Sequence, residues 1–393
     1  MKVCGQNTNA WEQRKLADVL SSYTDPVEIP HTGYERLGIR SHAKGTFHSY
    51  VPAGHELQTA QMHKVAADKF IVNITFGWEH AVAVTDENDA GKLVSHRFPQ
   101  FSLSEELDPK FLKFIILDEN FRHHLWLASP GGAGRNRVLN LTEMLQYEIY
   151  IPSVSEQRQI ADVLIRLDNL ITLHQRKYDR LKNVKKSMLE KMFPRDGANV
   201  PEIRFAGFTD AWGQRKFSEL YAKVTEKNDL SFGADKIISV ANMYFKEDTK
   251  ESSDDYMKTY NVMRLGDIAF EGNRNKNYAH GRFVENTIGD GIVSHVFDVF
   301  RPIVDYDLNY WKYYINNEIV MGRTMARCTK SSTMMTNLVA NDFLKEAVLV
   351  PVLEEQKKIG QYFSNLDNLI TLHQRKLDTL KKLKQGMLQQ MFI

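Results

Sequence analysis

The sequence predicts an α+β protein in which two pseudo-symmetric globular domains are joined by two long antiparallel coiled-coil helices. The main observation is a repeat: LDNLITLHQRK occurs at 167–177 and again, letter for letter, at 366–376, an offset of 199 (366 minus 167). Both copies lie inside long stretches of helical periodicity. Each stretch follows a region with the mixed patterns of strands and helices. Together these features indicate two copies of one unit.

The periodic stretches run from about 155 to 193 and from about 354 to 392. Apolar residues recur at heptad spacing and charged residues fill the other faces, which is typical of a coiled coil. About 39 residues at ~1.5 Å each give a rod of about 58 Å. Because the second helix follows the completed second globular part, short connections favour antiparallel pairing. The predicted seam comprises Ile160, Leu167, Leu170, His174 and Leu181, and then Ile359, Leu366, Leu369, His373 and Leu380.

Polar residues interrupt this seam near its middle. In an antiparallel pair, His174 is expected near Lys376 and His373 near Lys177. We interpret this layer as a device that fixes the register of the two helices. The alternative is that these side chains point outward, because an α-helix drifts against a strict seven-residue repeat.

The repeat extends beyond the helices. AWEQRK at 10–15 is echoed by AWGQRK at 211–216, and VSH at 94–96 by VSH at 293–295. The predicted boundaries are a first globular domain at 1–150, a first helix at 151–195, a second globular domain at 196–349 and a second helix at 350–393.

Within the globular domains, two kinds of pattern alternate. Segments rich in β-branched and aromatic residues predict strands, and segments with 3.6-residue spacing predict helices. The predicted strands lie at 70–76, 80–85, 236–245 and 292–300, and the predicted helices at 109–129 and 308–327.

The composition is that of an ordinary globular chain of 393 residues, with 42% hydrophobic and 25% charged residues. Two cysteines cannot form a disulfide framework, so we expect a reducing, cytoplasmic location. No apolar run reaches the roughly 18 residues that span a bilayer, so no membrane association is expected. A net charge of +2 neither identifies nor excludes a nucleic-acid partner.

No catalytic motif is evident. The string nearest to a phosphate-binding loop begins at Gly33 and Gly38 but continues with Ile39 and Arg40, so the required lysine is missing. The Asn-Pro-Pro-Tyr and Asp-Pro-Pro-Tyr strings of amino-methyltransferases are also missing. His123-His124 lacks partners at metal-ligand spacing, so no metal site is predicted. A stand-alone nuclease or methyltransferase is therefore disfavoured.

Short loops that combine basic residues with Asn, Ser and Gly stand out instead. Arg and Lys can bind guanine edges or phosphates, and Asn can bind adenine. Loops at 131–137 and 330–336 fall at equivalent positions of the repeat but differ in residues, which favours two readers of different sequences. The alternative is an ordinary solvated loop at each place. The candidate DNA-binding residues are Arg40, His42, Lys44, Arg135, Asn136 and Arg137, and then Arg274, Asn275, Lys276, Lys330, Ser331 and Ser332.

Over its whole length the sequence resembles the specificity subunit of type I restriction-modification systems. The resemblance rests on the doubled LDNLITLHQRK, on helices that begin with Glu-Gln at 156–157 and 355–356 and end with Met-Phe at 192–193 and 391–392, and on the connector PEIRFAGFTDAWGQRK at 201–216. No leader like PEIRF precedes the first half.

The resemblance implies two target-recognition domains that read a bipartite site in double-stranded DNA. It implies helices that act as a spacer and dock two methylation subunits, which are joined by motor-nuclease subunits. This chain would then be non-catalytic and bind no cofactor. S-adenosylmethionine, ATP and Mg²⁺ would be used by the partner subunits. The competing hypothesis is a coiled-coil adaptor or scaffold without sequence-specific DNA readout.

Overall fold

The computed structural model describes residues 11–56, 61–131, 137–195, 197–247, 253–331 and 335–391. The chain divides into two compact units. Unit 1 contains Met1–Leu173 with Leu377–Ile393, and unit 2 contains His174–Lys376. Each long helix therefore contributes one part to each unit, a partition that differs from the four sequence-based segments.

Unit 1 is built on a four-stranded antiparallel sheet with the strand order β2-β10-β7-β8, here called its inner sheet. An outer five-stranded sheet has the order β3-β6-β9-β4-β5, and a two-stranded sheet pairs β1 with β11. The elements are β1 (Glu12–Lys15), α1 (Leu16–Val19), β2 (Leu20–Tyr23), β3 (Pro26–Val27), β4 (Tyr34–Ile39), β5 (Thr46–Val51), β6 (Met62–Lys64), β7 (Lys69–Val72), β8 (Val82–Val84), β9 (Leu93–Ser95), β10 (Gln100–Leu103), α2 (Pro109–Ile115), α3 (Glu119–Leu127), α4 (Leu141–Met144), β11 (Glu148–Ile151) and α5 (Val154–Lys191).

Unit 2 repeats the inner sheet of unit 1 in the order β13-β20-β17-β18 and the two-stranded sheet as β12-β23. Its outer strands form the separate pairs β14-β15, β16-β19 and β21-β22. The elements are β12 (Gly213–Lys216), α6 (Phe217–Leu220), β13 (Tyr221–Lys223), β14 (Ile238–Ser239), β15 (Tyr244–Phe245), α7 (Asp254–Met257), β16 (Asn261–Met263), β17 (Ile268–Glu271), β18 (Arg282–Glu285), β19 (Gly291–Val293), β20 (Val299–Pro302), α8 (Leu308–Ile315), α9 (Glu318–Cys328), β21 (Thr329–Ser331), β22 (Thr336–Leu338), α10 (Ala340–Lys345), β23 (Ala347–Val350) and α11 (Leu353–Met391).

The predicted helix at 109–129 is two helices, α2 and α3, and the one at 308–327 is likewise α8 and α9. The breaks occur where a polar side chain caps the second helix: Asp118 accepts a hydrogen bond from the backbone N–H of Asn120 at 3.1 Å, and Asn317 from that of Ile319 at 3.1 Å. Helix-capping side chains compete with continued helix, which explains both interruptions.

Three of the predicted strands extend over turns, and the one expected at 292–300 covers the end of β19, a turn and the start of β20. The strand expected at 70–76 ends at Val72, and the segment 236–245 is a hairpin of two short strands, β14 and β15. In both places the missing part consists of turns. β-branched and aromatic residues therefore occupied turn positions that the composition pattern could not distinguish from strand.

The parts of α5 and α11 within one unit are here called the stalk of that unit. In unit 2 the stalk is antiparallel: His174 contacts His373, Lys185 pairs with Asp367 at 2.6 Å, and the ring of Phe193 stacks on Phe363 at 5.9 Å between centroids. In the stalk of unit 1, Lys384 pairs with Asp168 at 2.7 Å.

The polar layer contains a contact that sequence reasoning did not predict. Nδ1 of His174 lies 2.7 Å from Nδ1 of His373, so the two histidines pair with each other rather than each with a lysine. One ring must donate and the other accept, which requires at least one neutral imidazole. The pKa of His373 is lowered, first by burial and then by the charges of His174, Lys177 and Lys376.

The second seam position differs from the prediction. Leu170 and Leu369 are each 43% exposed, whereas Leu164 and Phe363 are fully buried. In an α-helix of 3.6 residues per turn, the residue four positions after a seam residue stays nearer the same face than the residue three positions after it. The remaining residues of the predicted seam are buried or half-buried. They are Ile160, Leu167, His174, Leu181, Ile359, Leu366, His373 and Leu380.

Each unit has one main hydrophobic core that joins its inner sheet to its stalk. In unit 1, Phe70, Phe111 and Phe121 of the globular part share a core with Leu164 and Leu167. In unit 2 the corresponding core is aromatic, with Trp212, Phe343 and Trp311 beside Phe363 and Leu366. Among the residues that the structure describes, no helix is long and apolar enough to cross a membrane.

Candidate nucleic-acid interface

The candidate interface of each unit is built around the segment that follows a central strand of its inner sheet. In unit 1 this segment, residues 73–80, follows β7, and in unit 2 the equivalent segment, residues 272–279, follows β17 (offset 199). These two segments are here called the central segments. Because the strands before them are buried, their backbones start from fixed positions.

In unit 1, the turn between β4 and β5 is bound to the central segment. The backbone N–H of His42 donates to the carbonyl of Glu79 at 2.9 Å, and that of Ala43 donates to His80 at 2.8 Å. His42 and Ala43 both have positive φ, a conformation that costs energy and is kept where surrounding contacts fix it. The turn is therefore held in one conformation with His42 and Lys44 exposed.

His80, which accepts the hydrogen bond from Ala43, links the β4–β5 turn to the interior of unit 1. It is buried, and its Nε2 donates to the carbonyl oxygen of Ile116 at 2.7 Å. Burial lowers the pKa of His80, because the imidazolium form loses its hydration. A neutral ring that donates one hydrogen bond is a structural support rather than a DNA contact.

Arg40 and Arg137 lie beside aromatic rings. The Arg40 guanidinium lies 5.3 Å from the ring centroid of Phe47 and also donates to the carbonyl of Thr46. Arg137 lies 4.9 Å from the ring of Trp126, which is itself exposed. An arginine close to an aromatic ring keeps its positive charge and gains a cation–π attraction.

Arg137 also belongs to the surroundings of the central segment, since Leu139, two residues on, donates its N–H to Ile74 at 2.9 Å. The structure thus brings Arg40, His42 and Lys44 to the central segment through the β4–β5 turn, and Arg137 through the strand-like residues before α4. The other predicted residues of this loop, Arg135 and Asn136, lie outside the described residues.

In unit 2 the predicted residues lie in the central segment itself. Asn275 uses its Oδ1 to accept from the backbone N–H of Asn277 at 2.8 Å, which forms a tight turn. Arg274 and Lys276 are exposed on either side of it. The side chain of Asn275 therefore shapes the loop, a role that competes with the bidentate adenine contact expected for it.

The second predicted loop of unit 2 lies against this segment. Asn273 forms a backbone bridge with Met335, and Thr336 donates to the carbonyl of Gly272 at 2.9 Å. A Cβ on Gly272 would clash with the backbone oxygen of Thr336, so only glycine allows this approach. Lys330 and Ser331, on β21, are thereby brought beside the central segment and are exposed, whereas Ser332 lies outside the described residues.

Several residues of these surfaces were missed by sequence reasoning, which searched for basic and amide side chains. Phe47 and Phe76 are exposed in unit 1. In unit 2, Tyr278 donates to Oδ1 of Asn316 at 2.7 Å and carries the Arg282 guanidinium 4.9 Å from its ring. Phe76 falls at the end of the strand predicted at 70–76, and an aromatic residue in or beside a strand is more often a packing residue.

Arg301 and Arg264 of unit 2 bind carboxylates. Arg301 bonds Asp267 at 2.9 Å and Glu226 at 3.0 Å, and Arg264 bonds Glu226 at 2.6 Å. These bonds raise the pKa of Arg301, with Asp267 the main cause. Their charges are largely compensated within the protein, so they contribute little to the attraction of a polyanion.

No group of three or more His, Cys, Asp or Glu side chains that could hold a metal ion occurs in the part of the chain that the structure describes. Trp11 and Trp212 serve as packing residues. Trp11 donates to Glu156 at 3.3 Å, and Trp212 is buried with its ring 6.3 Å from Phe193.

The family model for the type I restriction modification DNA specificity domain matches this chain twice, at residues 40–183 and 222–382. The chain is 24% identical over 263 residues to the type I restriction enzyme MjaVIII specificity subunit of Methanocaldococcus jannaschii, which covers 61% of this chain and 59% of that relative. It is 24% identical over an alignment of 417 residues to the putative MjaX specificity subunit of the same organism, covering 97% and 92%.

Two solved structures are similar in fold. The HsdS subunit from Thermoanaerobacter tengcongensis has a TM-score of 0.51 at 16% identity, covering 98% of this chain and 97% of that chain. The S subunit of the type I restriction-modification system from M. genitalium has a TM-score of 0.54 at 13% identity, covering 99% and 98%. The chain belongs to the family of type I restriction-modification DNA specificity proteins, and it carries two copies of the family's domain.

Proposed function

We propose that this chain selects the DNA site of a type I restriction-modification complex, and that each unit reads one half of a bipartite sequence in double-stranded DNA. The observation that carries the proposal is the pair of central segments, which follow equivalent strands of two inner sheets with the same strand order but expose different side chains. A common scaffold with unlike exposed residues is what two readers of two different half-sites require.

The chemistry of these surfaces supports DNA as the ligand. Arg274 and Lys276 in unit 2, and Arg40 and Lys44 in unit 1, are cationic groups on backbone turns fixed by hydrogen bonds. Fixed cations beside amide and hydroxyl groups can bind phosphates and the edges of bases in the major groove. The residue-level assignments of the sequence analysis remain proposals on this basis.

The stalks are proposed to dock two methylation subunits. In unit 1 the stalk exposes Leu170 and Leu173, and in unit 2 the identical sequence exposes Leu369 and Leu372, all between 43% and 46% exposed. Leucines three residues apart lie on one helix face. Two identical apolar surfaces favour two copies of one partner, to which motor-nuclease subunits would be added.

The chemical steps are assigned to those partners. S-adenosylmethionine would be bound by the methylation subunits, and ATP and Mg²⁺ by the motor-nuclease subunits, while this chain would be non-catalytic. The support is the lack of a phosphate-binding or methyltransferase motif in the sequence. Target adenines would be taken out of the helix by the methylation subunits.

The test is DNA binding by the full chain reconstituted with its methylation partner. We expect Arg274→Ala combined with Lys276→Ala to weaken binding to the cognate duplex and to reduce the salt dependence of binding. Arg215→Ala is the matched control, since this exposed arginine of unit 2 lies on β12, outside the central segment. Assembly of a complex that binds all duplexes equally, or none, would support the scaffold hypothesis instead.

A further inference from the structure

A pocket of about 330 Å³ opens beside the β4–β5 turn of unit 1. Three aromatic rings line it, those of Phe47, Phe76 and Phe98. Phe47 is 39% exposed and Phe76 is 42% exposed, so both rings are accessible to a ligand. Adjacent exposed aromatic rings on a soluble surface mark a contact site more often than a random feature.

Glycine packing and backbone hydrogen bonds hold the segments that carry Phe47 and Phe76. A Cβ on Gly38 would clash with the ring of Phe47, so this glycine allows the ring to lie across β4. Phe76 donates its backbone N–H to Asn73 at 3.1 Å and accepts from the N–H of Glu79 at 3.0 Å. A preorganised pocket loses little entropy when it is filled.

A carboxylate in the wall of the pocket disfavours a phosphate inside it. The carboxylate of Glu79 lies in the wall and accepts from Oγ of Ser41 at 2.7 Å. A carboxylate repels phosphate but can accept from the N6 amino group of an adenine, the base that pairs with thymine. Two cationic groups could hold the DNA backbone nearby: Arg36 also lines the pocket, and the Arg40 guanidinium lies 5.3 Å from the ring centroid of Phe47.

The equivalent place in unit 2 has the opposite chemistry. With the offset of 199, Thr75, Phe76 and Gly77 correspond to Arg274, Asn275 and Lys276. The apolar side chain that unit 1 presents is thus replaced by polar and cationic side chains at the same point of the same scaffold. The two half-sites should therefore differ in the kind of base contact as well as in sequence.

On the basis of the proposed function, we infer that the pocket formed by Phe47 and Phe76 reads the 5-methyl group of a thymine in the half-site of unit 1. In the major groove this methyl group is the one apolar feature on a base edge, and phenylalanine is a suitable contact for it. The pocket is large enough for the methyl-bearing edge of the pyrimidine.

The test replaces each thymine of that half-site by 2′-deoxyuridine, one at a time, and measures binding of the complex of the full chain with its methylation partner. Deoxyuridine pairs like thymine but lacks the methyl group. We expect one position at which the substitution weakens wild-type binding about fourfold, the effect of burying one methyl-sized group. In Phe76→Ala, thymine and deoxyuridine should bind equally at that position.

Tyr50→Ala is the matched control, because Tyr50 is an exposed aromatic residue of β5 at the far end of the same hairpin, paired with Glu35. It should retain the fourfold preference for thymine. Phe76→Leu, which keeps an apolar contact, should retain part of it, and this variant decides the question if Phe76→Ala does not fold.

A half-site without thymine, a wild-type complex indifferent to every deoxyuridine, or a Phe76→Ala complex that still prefers thymine would overturn the inference. Each of these results leaves sequence-selective binding intact and so spares the proposed function. Loss of all selectivity in the wild-type complex would instead contradict the proposed function, and the inference with it.

Discussion

At the scale of single residues, two leucines of the same repeat differ in how far they are buried. Leu366 is buried in the stalk of unit 2, and Leu369, three residues later in the same repeat, is 43% exposed. The difference decides which leucine stabilises the stalk and which is available to a partner.

We expect Leu366→Ala to lower the free energy of unfolding by roughly 2–5 kcal/mol, because it removes buried methyl groups and leaves a cavity. Leu369→Ala should cost less than about 1 kcal/mol, since most of its side chain already contacts water. Urea denaturation of both variants checks this. Equal losses in the two variants would show that the stalk packs in a different register.

The histidine pair gives the stalk of unit 2 a pH dependence. The pKa of His373 is lowered from its ordinary 6.5 by burial and by the charges of His174, Lys177 and Lys376. The unfolded chain therefore binds this proton more readily than the folded chain. Stability contributed by the neutral pair is present above the ordinary pKa and is lost as the pH falls through 6.5 toward the lowered value.

We expect the difference in unfolding free energy between the wild type and His373→Leu to shrink or change sign as the pH is lowered from about 7.5 to about 5.5. Comparing the two proteins at each pH removes the contribution of His80, whose pKa is also lowered by burial. Parallel pH profiles for the two proteins would rule out the histidine pair as the source of the dependence.

At the scale of elements, two glycines of α11 occupy opposite environments. A Cβ on Gly360 would lie 2.7 Å from the backbone nitrogen of Tyr310, at the start of α8. The equivalent residue of α5 is Ala161, which is fully buried. A Cβ on Gly386 would meet nothing within 4 Å.

Gly360→Ala should therefore destabilise the protein, although alanine is the better helix former. Gly386→Ala should stabilise it by up to about 1 kcal/mol, because only the helix propensity changes. Thermal unfolding of the two single variants checks both signs. Stabilisation by both alanines would mean that α11 and the start of α8 do not pack closely.

The sequence predicts the long helices well because their period persists over many turns, and their observed bounds, Val154–Lys191 and Leu353–Met391, lie within a few residues of those expected. It predicts the globular elements less well. The break at Asp118 depends on one capping hydrogen bond, and the hairpin of β14 and β15 depends on a turn inside an apolar segment. In both places the sequence allows a continuous element as well as a broken one, and contacts in the folded protein determine which of them forms.

The candidate interface was predicted only in part for a related reason. Arg274 and Lys276 were found because charge in a polar loop is visible in the sequence. Phe47 and Phe76 were not found, because an aromatic residue beside a strand is typical of a core. Phe47 lies over Gly38, and Phe76 lies in the turn after β7. Only the folded chain brings these two rings together.

At the scale of the whole molecule, the duplication gives the chain two stalks with the same exposed leucines, one for each of the two proposed methylation subunits. We expect Leu170→Glu or Leu369→Glu alone to leave a complex with one methylation subunit, and both changes together to leave none, because a charge in an apolar interface is costly. Mass measurement of the purified complex checks this. Loss of both subunits in each single variant would contradict two independent surfaces.

The central claim is that two unlike units of one chain read two halves of one DNA site. The most direct test maps the methylated adenines in the genome of a cell that expresses this chain with its methylation partner, and repeats the map with Arg274→Ala combined with Lys276→Ala. We expect a bipartite motif with a fixed gap, in which the variant relaxes one half only. A single continuous motif, or relaxation of both halves together, would contradict it.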